Sequence, residues 1–298
     1  IKLKAALERG AVGFVSIGTR TGEKLYPFAN TARQYKSWGM SWRHPDGKPF
    51  VPVPLPSLAF VSVAGASKLL GDRTDAILDV AETIDGAIKG FDLHLSLKAE
   101  LHTEIKNSES ENIVGVLPGS DPKLKGEYVV LSGHLDHIGI TPPVKGDAIN
   151  NGALDNASGV ATTLEVARLF RGRAPKRSLL FLVDTAEEKG LIGADYFARN
   201  PSVPKSAITA DVDLDMPIIT YDFTDVVAFG ADRSSIGPAV RRAAGVMGLT
   251  LSPDSMPDDY DVGAKFAKLN YAITRELADG PRPSWNAGDF FAAKFAKK

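Results

Sequence analysis

Residue types that bind metal ions come directly after apolar segments of the chain. These polar segments are 132–137 (SGHLDH), 184–188 (DTAEE), 213–216 (DLDM) and, at the start of an expected helix, 152–159 (GALDNASG). Imidazole nitrogen and carboxylate oxygen are ligands that zinc accepts, and several carboxylates packed together repel one another unless a cation compensates them. The pattern therefore predicts a metal site suited to hydrolysis, in which one carboxylate can bridge two ions.

The elements that must position these segments alternate between strand and helix from residue 112 onward. We predict strands over 128–131, 179–183 and 207–214 and helices over 159–170, 193–199 and 236–247. Continuous apolar runs are typical of strands buried on both faces, and apolar residues at helical spacing indicate amphipathic helices. The order predicts an α/β fold with a mostly parallel, helix-flanked sheet. In such a sheet the ligand site lies at the carboxyl ends of the strands.

Residues 1–92 have a different pattern of apolar runs and turn-forming residues, which indicates a separate and smaller domain. Apolar runs over 11–17 and 58–63 predict strands, and a loop rich in proline, glycine and aromatic residues separates them. Alternation of apolar and polar residues over 93–105 predicts a half-exposed strand that opens the second domain. We therefore expect a smaller β-rich domain over 1–92 and a larger domain over 93–298.

Composition excludes several classes of function and site. The chain has 35 basic and 36 acidic residues, so its net charge of −1 gives no general attraction to nucleic acid or to an anionic membrane. It contains no run of about 18 apolar residues, so no membrane span is predicted. The absence of cysteine excludes disulfides, thiolate metal ligands and a cysteine nucleophile.

Four segments, in this order, resemble the co-catalytic zinc aminopeptidases of metallopeptidase family 28. They are SGHLDHIG (132–139), NGALDNASGVATTLEVAR (151–168), RSLLFLVDTAEEKGLIGADYFA (177–198) and VDLDM (212–216). The match is dense over about residues 112–216. Residues 1–92 resemble, more loosely, the protease-associated domain that many members carry as an insertion.

The resemblance implies four metal ligands. His134 and Glu188 would bind the first zinc ion, Asp215 would bind the second, and Asp155 would bridge the two. In the family the peptide bond that follows the bridging residue, here Asp155–Asn156, is typically cis.

The resemblance also implies two catalytic residues. Glu187 would be the general base, which takes a proton from the zinc-activated water and passes it to the leaving amine. Asp136 would hold the ring of His134 in the correct tautomer. We interpret His137 and His94 as structural or surface residues rather than ligands.

One ligand that the family requires is absent from the sequence. The second zinc ion normally takes a histidine from near the C-terminus, whereas none of the five histidines follows His137. We expect a missing segment at about 258–260 that would carry this histidine, and the start at Ile1 fits a chain that is incomplete at its beginning. The competing hypothesis is a natural deletion. Two zinc ions are expected, or one if the histidine is truly absent.

The expected activity is the removal of N-terminal residues from peptides that have a free N-terminus, and no nucleic-acid partner is expected. Two alternatives stay open. The first is a single-zinc glutaminyl cyclase, which the pair Glu187-Glu188 does not exclude. The second is a catalytically dead binding protein on the same scaffold, which the missing histidine favours and the clustered carboxylates oppose. By resemblance to members with the inserted domain, the protein is expected to be periplasmic or secreted.

Overall fold

The structure is a computed structural model that describes residues 2–34, 38–82, 91–100, 102–217, 222–252, 263–289 and 292. The chain divides into two compact units, Ile1–Ser108 and Glu109–Lys298. The expected domain boundary near residue 92 lies before this division. The strand predicted over 93–105 is wrong, because the described residues of that range form no regular secondary structure. Leu95 and Leu97 are both more than half exposed, so the alternating pattern has no core to face there.

The first unit contains more helix than strand among its described residues. Its strands are β1 (Phe14–Ile17) and β2 (Ser57–Val61), and its helices are α1 (Lys2–Glu8), α2 (Arg20–Leu25), α3 (Phe28–Gln34), α4 (Val63–Leu70) and α5 (Thr74–Ala81). β1 and β2 pair in parallel and confirm the two predicted strands. The expectation of a β-rich unit is not met, because helices exceed strands among the described residues, and two of the helices begin at hydroxyl caps that the sequence reasoning did not weigh. The Thr19 hydroxyl caps α2 and the Ser62 hydroxyl caps α4.

The second unit carries the predicted alternation of strands and helices. Its strands are β3 (Ile113–Leu117), β4 (Tyr128–His134), β5 (Ile140–Val144), β6 (Asp147–Ile149), β7 (Ser178–Asp184), β8 (Ile208–Asp213), β9 (Asp225–Val226) and β10 (Thr250–Leu251). Its helices are α6 (Ser158–Leu169), α7 (Ile192–Arg199), α8 (Ile236–Val246) and α9 (Gly263–Asp279). The strands and helices predicted between 128 and 247 are thereby confirmed. The segment expected to be missing at 258–260 lies outside the described residues.

The main sheet has the strand order β3-β7-β4-β8. β4 runs parallel to both of its neighbours, and β3 is an antiparallel edge strand. This confirms the mostly parallel sheet. β4 continues past the predicted 128–131 to His134, because its polar end still pairs with β7 and brings His134 opposite Asp184.

Helices cover both faces of this sheet. Val129 and Leu131 point into a core that is completed by residues of α6, α8 and α9. Val130 and Leu180 point to the opposite face, where they pack with Phe197 of α7. Successive strand residues face opposite sides of a sheet, so the continuous apolar runs supply both cores at once. No helix in the described part of the chain combines the length and the apolar character that crossing a membrane would require.

Candidate metal centre

The carboxyl ends of β4, β7 and β8 bring the predicted site residues together. The hydrogen-bond ladder continues beyond the strands: the N–H of Leu135 donates to the carbonyl of Asp184, and the N–H of Leu214 donates to the carbonyl of Ser132, both at 2.9 Å. The three segments therefore leave the sheet side by side. This is the edge at which the sequence placed the ligand site.

His134 is buried at the centre of the site, with 3% of its side chain exposed. Its Nδ1 lies 3.0 Å from the backbone carbonyl of Asp136, to which a protonated Nδ1 donates. Its Nε2 faces carboxylate oxygens of Asp155 at 3.2 Å, Asp215 at 3.3 Å and Glu187 at 3.9 Å. Although burial opposes the change, the carboxylate of Asp215, the backbone carbonyl of Asp136 and the carboxylate of Glu187 raise the pKa of His134 above its ordinary value.

Asn156 fastens the loop that carries Asp155. The side chain is 2% exposed; its amide donates to the carbonyl of Leu214 at 2.9 Å, and its oxygen accepts from the N–H groups of Gly159 at 3.0 Å and Met216 at 3.2 Å. The Asp155–Asn156 peptide bond is cis, as the resemblance implied. Sequence reasoning gave Asn156 no role of its own. The available signal was an asparagine just before a helix, where its oxygen can accept an N–H three residues later.

Glycine at position 159 allows this loop and the end of β8 to approach closely. A Cβ atom at Gly159 would lie 2.1 Å from the carbonyl oxygen of Leu214 and 2.3 Å from the side-chain oxygen of Asn156. No side chain fits at these distances. The first turn of α6 therefore packs directly against the segment that precedes Asp215.

Asp136 holds the turn that carries the two glutamates. Its carboxylate accepts the backbone N–H of Glu187 at 3.0 Å and that of Glu188 at 3.3 Å. The expected contact with the imidazole is made by a different atom: the carboxylate lies 3.8 Å from Nδ1 of His134, and the Asp136 backbone carbonyl lies closer. Because the backbone carbonyl of Asp136 contacts the His134 ring, the Asp136 carboxylate can accept the N–H groups of the glutamate turn.

The glutamate turn itself has an unusual backbone. Ala186, the residue before it, adopts left-handed geometry with φ of 56°, which is uncommon outside glycine and tends to cluster at functional sites. Burial raises the pKa of Glu187, and the carboxylates of Asp215 and Glu188 add to this effect. A raised pKa brings the carboxyl closer to the range in which it can both accept and release a proton.

The ligand atoms of the described residues form two sets that share Asp155. The first set is His134, Asp155 and Asp215, and the second is His137, Asp155 and Glu188; within each set the atoms lie within 4.8 Å of one another. This pairing differs from the expected one, which placed Glu188 with His134. Both β7 and β8 adjoin β4, so the contacts decide the pairing: Asp215 lies 3.3 Å from Nε2 of His134, and Glu188 lies 2.7 Å from Nδ1 of His137.

His137 lies inside the site, although the sequence reasoning treated it as a structural or surface residue. Its Nδ1 is 2.7 Å from Oε1 of Glu188 and 3.7 Å from Oδ2 of Asp155. Nδ1 and Oε1 are both shielded from solvent, yet neither makes a hydrogen bond. The sequence signal for His137 was only its position three residues after His134.

A further buried carboxyl group lies behind the ligands. Asp184, the last residue of β7, is 3% exposed, and its Oδ1 has no hydrogen-bond partner. Burial, with a contribution from the Asp213 carboxylate, raises the pKa of Asp184 to about 6. Asp184 belongs to neither ligand set.

The chemistry of these donors fits a divalent metal ion. One ring nitrogen can donate at most one proton, yet Nε2 of His134 faces three carboxylates within 4 Å. The shielded Nδ1 of His137 and Oε1 of Glu188 also lack partners. A cation would satisfy both features, and a set of imidazole nitrogens and carboxylate oxygens suits zinc.

A family comparison agrees with this donor chemistry. The profile described as Peptidase family M28 matches residues 112–265, which is just over half of the chain. The chain belongs to peptidase family M28. The matched range contains β3 to β8 and every residue of the two ligand sets.

Relatives of this M28 chain include named peptidases. It is 40% identical over 106 residues to a probable zinc metalloprotease of Pyrenophora tritici-repentis, covering 35% of this chain and 23% of that protein. It is 26% identical over 212 residues to carboxypeptidase Q of Rattus norvegicus, covering 69% and 38%. A zinc aminopeptidase from Bacillus subtilis superposes with a TM-score of 0.44 at 19% identity, over 60% of this chain and 52% of that one. The aligned part spans about a quarter of the first curated relatives' length.

Proposed function

We propose that this M28 chain is the catalytic part of a zinc-dependent aminopeptidase, which hydrolyses the peptide bond after the N-terminal residue of a peptide. The observation that carries the proposal is the position of Asp155 in both ligand sets. A single carboxylate placed in this way can bridge two metal ions about 3.5–4 Å apart, an arrangement used for hydrolysis.

His134, Asp155 and Asp215 would hold one ion, and Asp155 and Glu188 would contribute to a second. The contact of Nδ1 with the Asp136 carbonyl leaves Nε2 of His134 as its ligand nitrogen. Zinc at these positions would supply a Lewis acid that polarises a carbonyl group and makes water nucleophilic near neutral pH.

Glu187 acts as the general base. It lies beside Nε2 of His134 but belongs to neither ligand set, so its carboxylate stays available for proton transfer. About a quarter of its side chain is exposed, which gives water access. Glu187 removes a proton from the water that attacks the carbonyl carbon. It then delivers that proton to the amine nitrogen as the C–N bond breaks.

The charge of the site supports action at the N-terminus of the substrate. Five carboxylates surround the two imidazoles, those of Asp136, Asp155, Glu187, Glu188 and Asp215. With neutral imidazoles, their charge exceeds that of two zinc ions by one. The excess negative charge attracts a terminal ammonium group and disfavours a terminal carboxylate.

The experiment is an assay of four matched peptides with the zinc-loaded chain, followed by mass spectrometry. The peptides are one with both ends free, its N-acetylated form, its C-amidated form and a form that begins with glutamine. We expect release of the N-terminal residue from the free and the C-amidated peptides, and none from the acetylated one. A chelator should abolish the release, and added zinc should restore it.

The same assay separates the other functions. Loss of ammonia from the glutamine peptide, without cleavage, would overturn the proposal in favour of a glutaminyl cyclase. Cleavage from the C-terminal end would make the chain a carboxypeptidase, as the name of its rat relative describes that protein. Zinc binding without turnover of any peptide would favour a binding protein.

Export to the periplasm or the exterior is a separate proposal, supported by the resemblance to family members with an inserted domain. Fractionation of the source cells, with an antibody against the chain, tests it. Recovery in the cytoplasmic fraction would contradict it.

A further inference from the structure

We propose that His137 is the imidazole ligand of the second zinc position, which it forms with Asp155 and Glu188. The inference rests on the proposed function only for the identity of the metal. The placement of His137 against the two carboxylates is a property of the chain and does not depend on what the enzyme cleaves.

Three observations on the His137 ring carry the inference. Nδ1 lies close to two carboxylates of the site, at 2.7 Å from Oε1 of Glu188 and 3.7 Å from Oδ2 of Asp155. Nδ1 and Oε1 are both shielded from solvent. A buried polar atom normally has a hydrogen-bond partner, and neither of these atoms has one.

The contact between His137 and Glu188 is not an ordinary ion pair. A protonated imidazole would donate its Nδ1–H to Oε1 across 2.7 Å, but the geometry does not form a hydrogen bond. Two shielded donor atoms that lie close together without a hydrogen bond suit a shared cation. Neutral imidazole nitrogen and carboxylate oxygen are both zinc ligands.

The loop that carries Asp155 also holds the ring. Gly152 has φ of 65°, and a Cβ atom at this position would lie 2.9 Å from Cβ of His137 and 3.2 Å from Cγ. The backbone of the Asp155 loop therefore packs against the base of the imidazole. The shared carboxylate and this imidazole are positioned by the same turn.

Within the second unit of the given sequence, His134 and His137 are the two histidines that could bind zinc. The five histidines are His44, His94, His102, His134 and His137. His134 faces the first set, and no histidine follows His137. With His137 as a ligand, each zinc position has one imidazole, one carboxylate of its own and the shared Asp155.

The test measures zinc stoichiometry and affinity, independently of activity, on metal-free full-length chain reloaded with zinc alone. A chromophoric chelator competes for each ion, and elemental analysis gives the content per chain. We expect two ions in the wild type. In H137A and H137N we expect the second ion to be weakened by about 100-fold or more, since even residues that only support a ligand change affinity by 10–100-fold. H102A is the control, because the His102 side chain is 88% exposed and pairs with Glu100 rather than with a residue of the two ligand sets.

E188Q provides a second variant in case the His137 variants fold poorly, and it should weaken the same ion. Unchanged affinity for both ions in H137A and H137N would overturn the inference, as would a wild type that binds a single ion unaffected by either variant. Failure of the proposed function has a different signature. The wild type would then bind two ions, and H137A would lose one, while no peptide is cleaved by either protein.

Discussion

Asp136 and Glu187 are joined by a hydrogen bond in which the Asp136 carboxylate accepts the backbone N–H of Glu187 at 3.0 Å. The same carboxylate accepts the N–H of Glu188 at 3.3 Å. The segment after β4 therefore positions both glutamates that follow β7. A side chain outside both ligand sets thus controls where the proposed base and one proposed ligand lie.

Replacing Asp136 with alanine should release this turn. We expect D136A to lower kcat and zinc affinity each by about 10–100-fold, because both glutamates lose their anchor. Peptide cleavage and chelator competition on the same sample measure the two effects. A fall in kcat with no change in zinc affinity or in the pH profile would contradict the positioning role.

Replacing Glu187 with glutamine should remove the base and leave the metal site intact. We expect E187Q to lower kcat by about 1,000-fold with little change in KM or zinc content, because glutamine cannot accept a proton. The matched control is E165Q, since Glu165 lies on α6 and pairs with Arg168 away from the site. Loss of zinc from E187Q would show that Glu187 is a ligand instead.

Replacing Asn156 with aspartate should destabilise the fold around the site. The buried amide donates to the Leu214 carbonyl, and a carboxylate would remove that donor and add a buried charge. We expect a loss of about 3 kcal/mol in the free energy of unfolding, measured by denaturant titration. N200D is the control, because the exposed Asn200 also donates to a single backbone carbonyl. Equal losses in the two variants would contradict the anchoring role.

Replacing Gly159 with alanine should force the first turn of α6 away from the end of β8. The added Cβ would lie 2.1 Å from the Leu214 carbonyl oxygen, so we expect a loss of about 2–3 kcal/mol in stability. The same change at Gly245 in α8 meets no atom within 4 Å. G245A should therefore gain about 0.5–1 kcal/mol from helix propensity. Thermal unfolding of both variants checks the opposite signs.

Replacing Asp184 with asparagine should change the pH dependence of stability in the metal-free protein. The pKa of this buried carboxyl is about 6 in the folded chain against an ordinary 3.8. The folded state therefore holds the proton more tightly, and the wild type loses stability as the pH rises from about 4 to 6. The difference between the two pKa values corresponds to a loss of about 3 kcal/mol in the free energy of unfolding above pH 6. D184N lacks this loss, so its gain in Tm over the wild type should be larger at pH 8 than at pH 5. A gain independent of pH would contradict this assignment.

Much of the second unit could be predicted from local pattern. β7 and α8 lie within one residue of their predicted bounds, because apolar periodicity reports burial directly. The prediction of a strand over 93–105 was wrong because the alternating pattern there does not report burial. Alternation predicts a strand only where a neighbouring strand and a core exist, and Leu95 and Leu97 have neither.

The sequence predicted the types of the ligand residues and the sheet edge at which they lie. It could do so because the carboxyl ends of parallel strands lie at the same edge of a sheet. The sequence did not predict which carboxylate lies next to which imidazole. Asp215 faces His134, and Glu188 faces His137, because strand order and side-chain direction decide which atoms meet. The Asp136 carboxylate and the Asn156 amide likewise reach backbone groups about 50 residues or more away in sequence. The spacing of residues along the chain cannot predict such contacts, because they form only when the strands lie side by side.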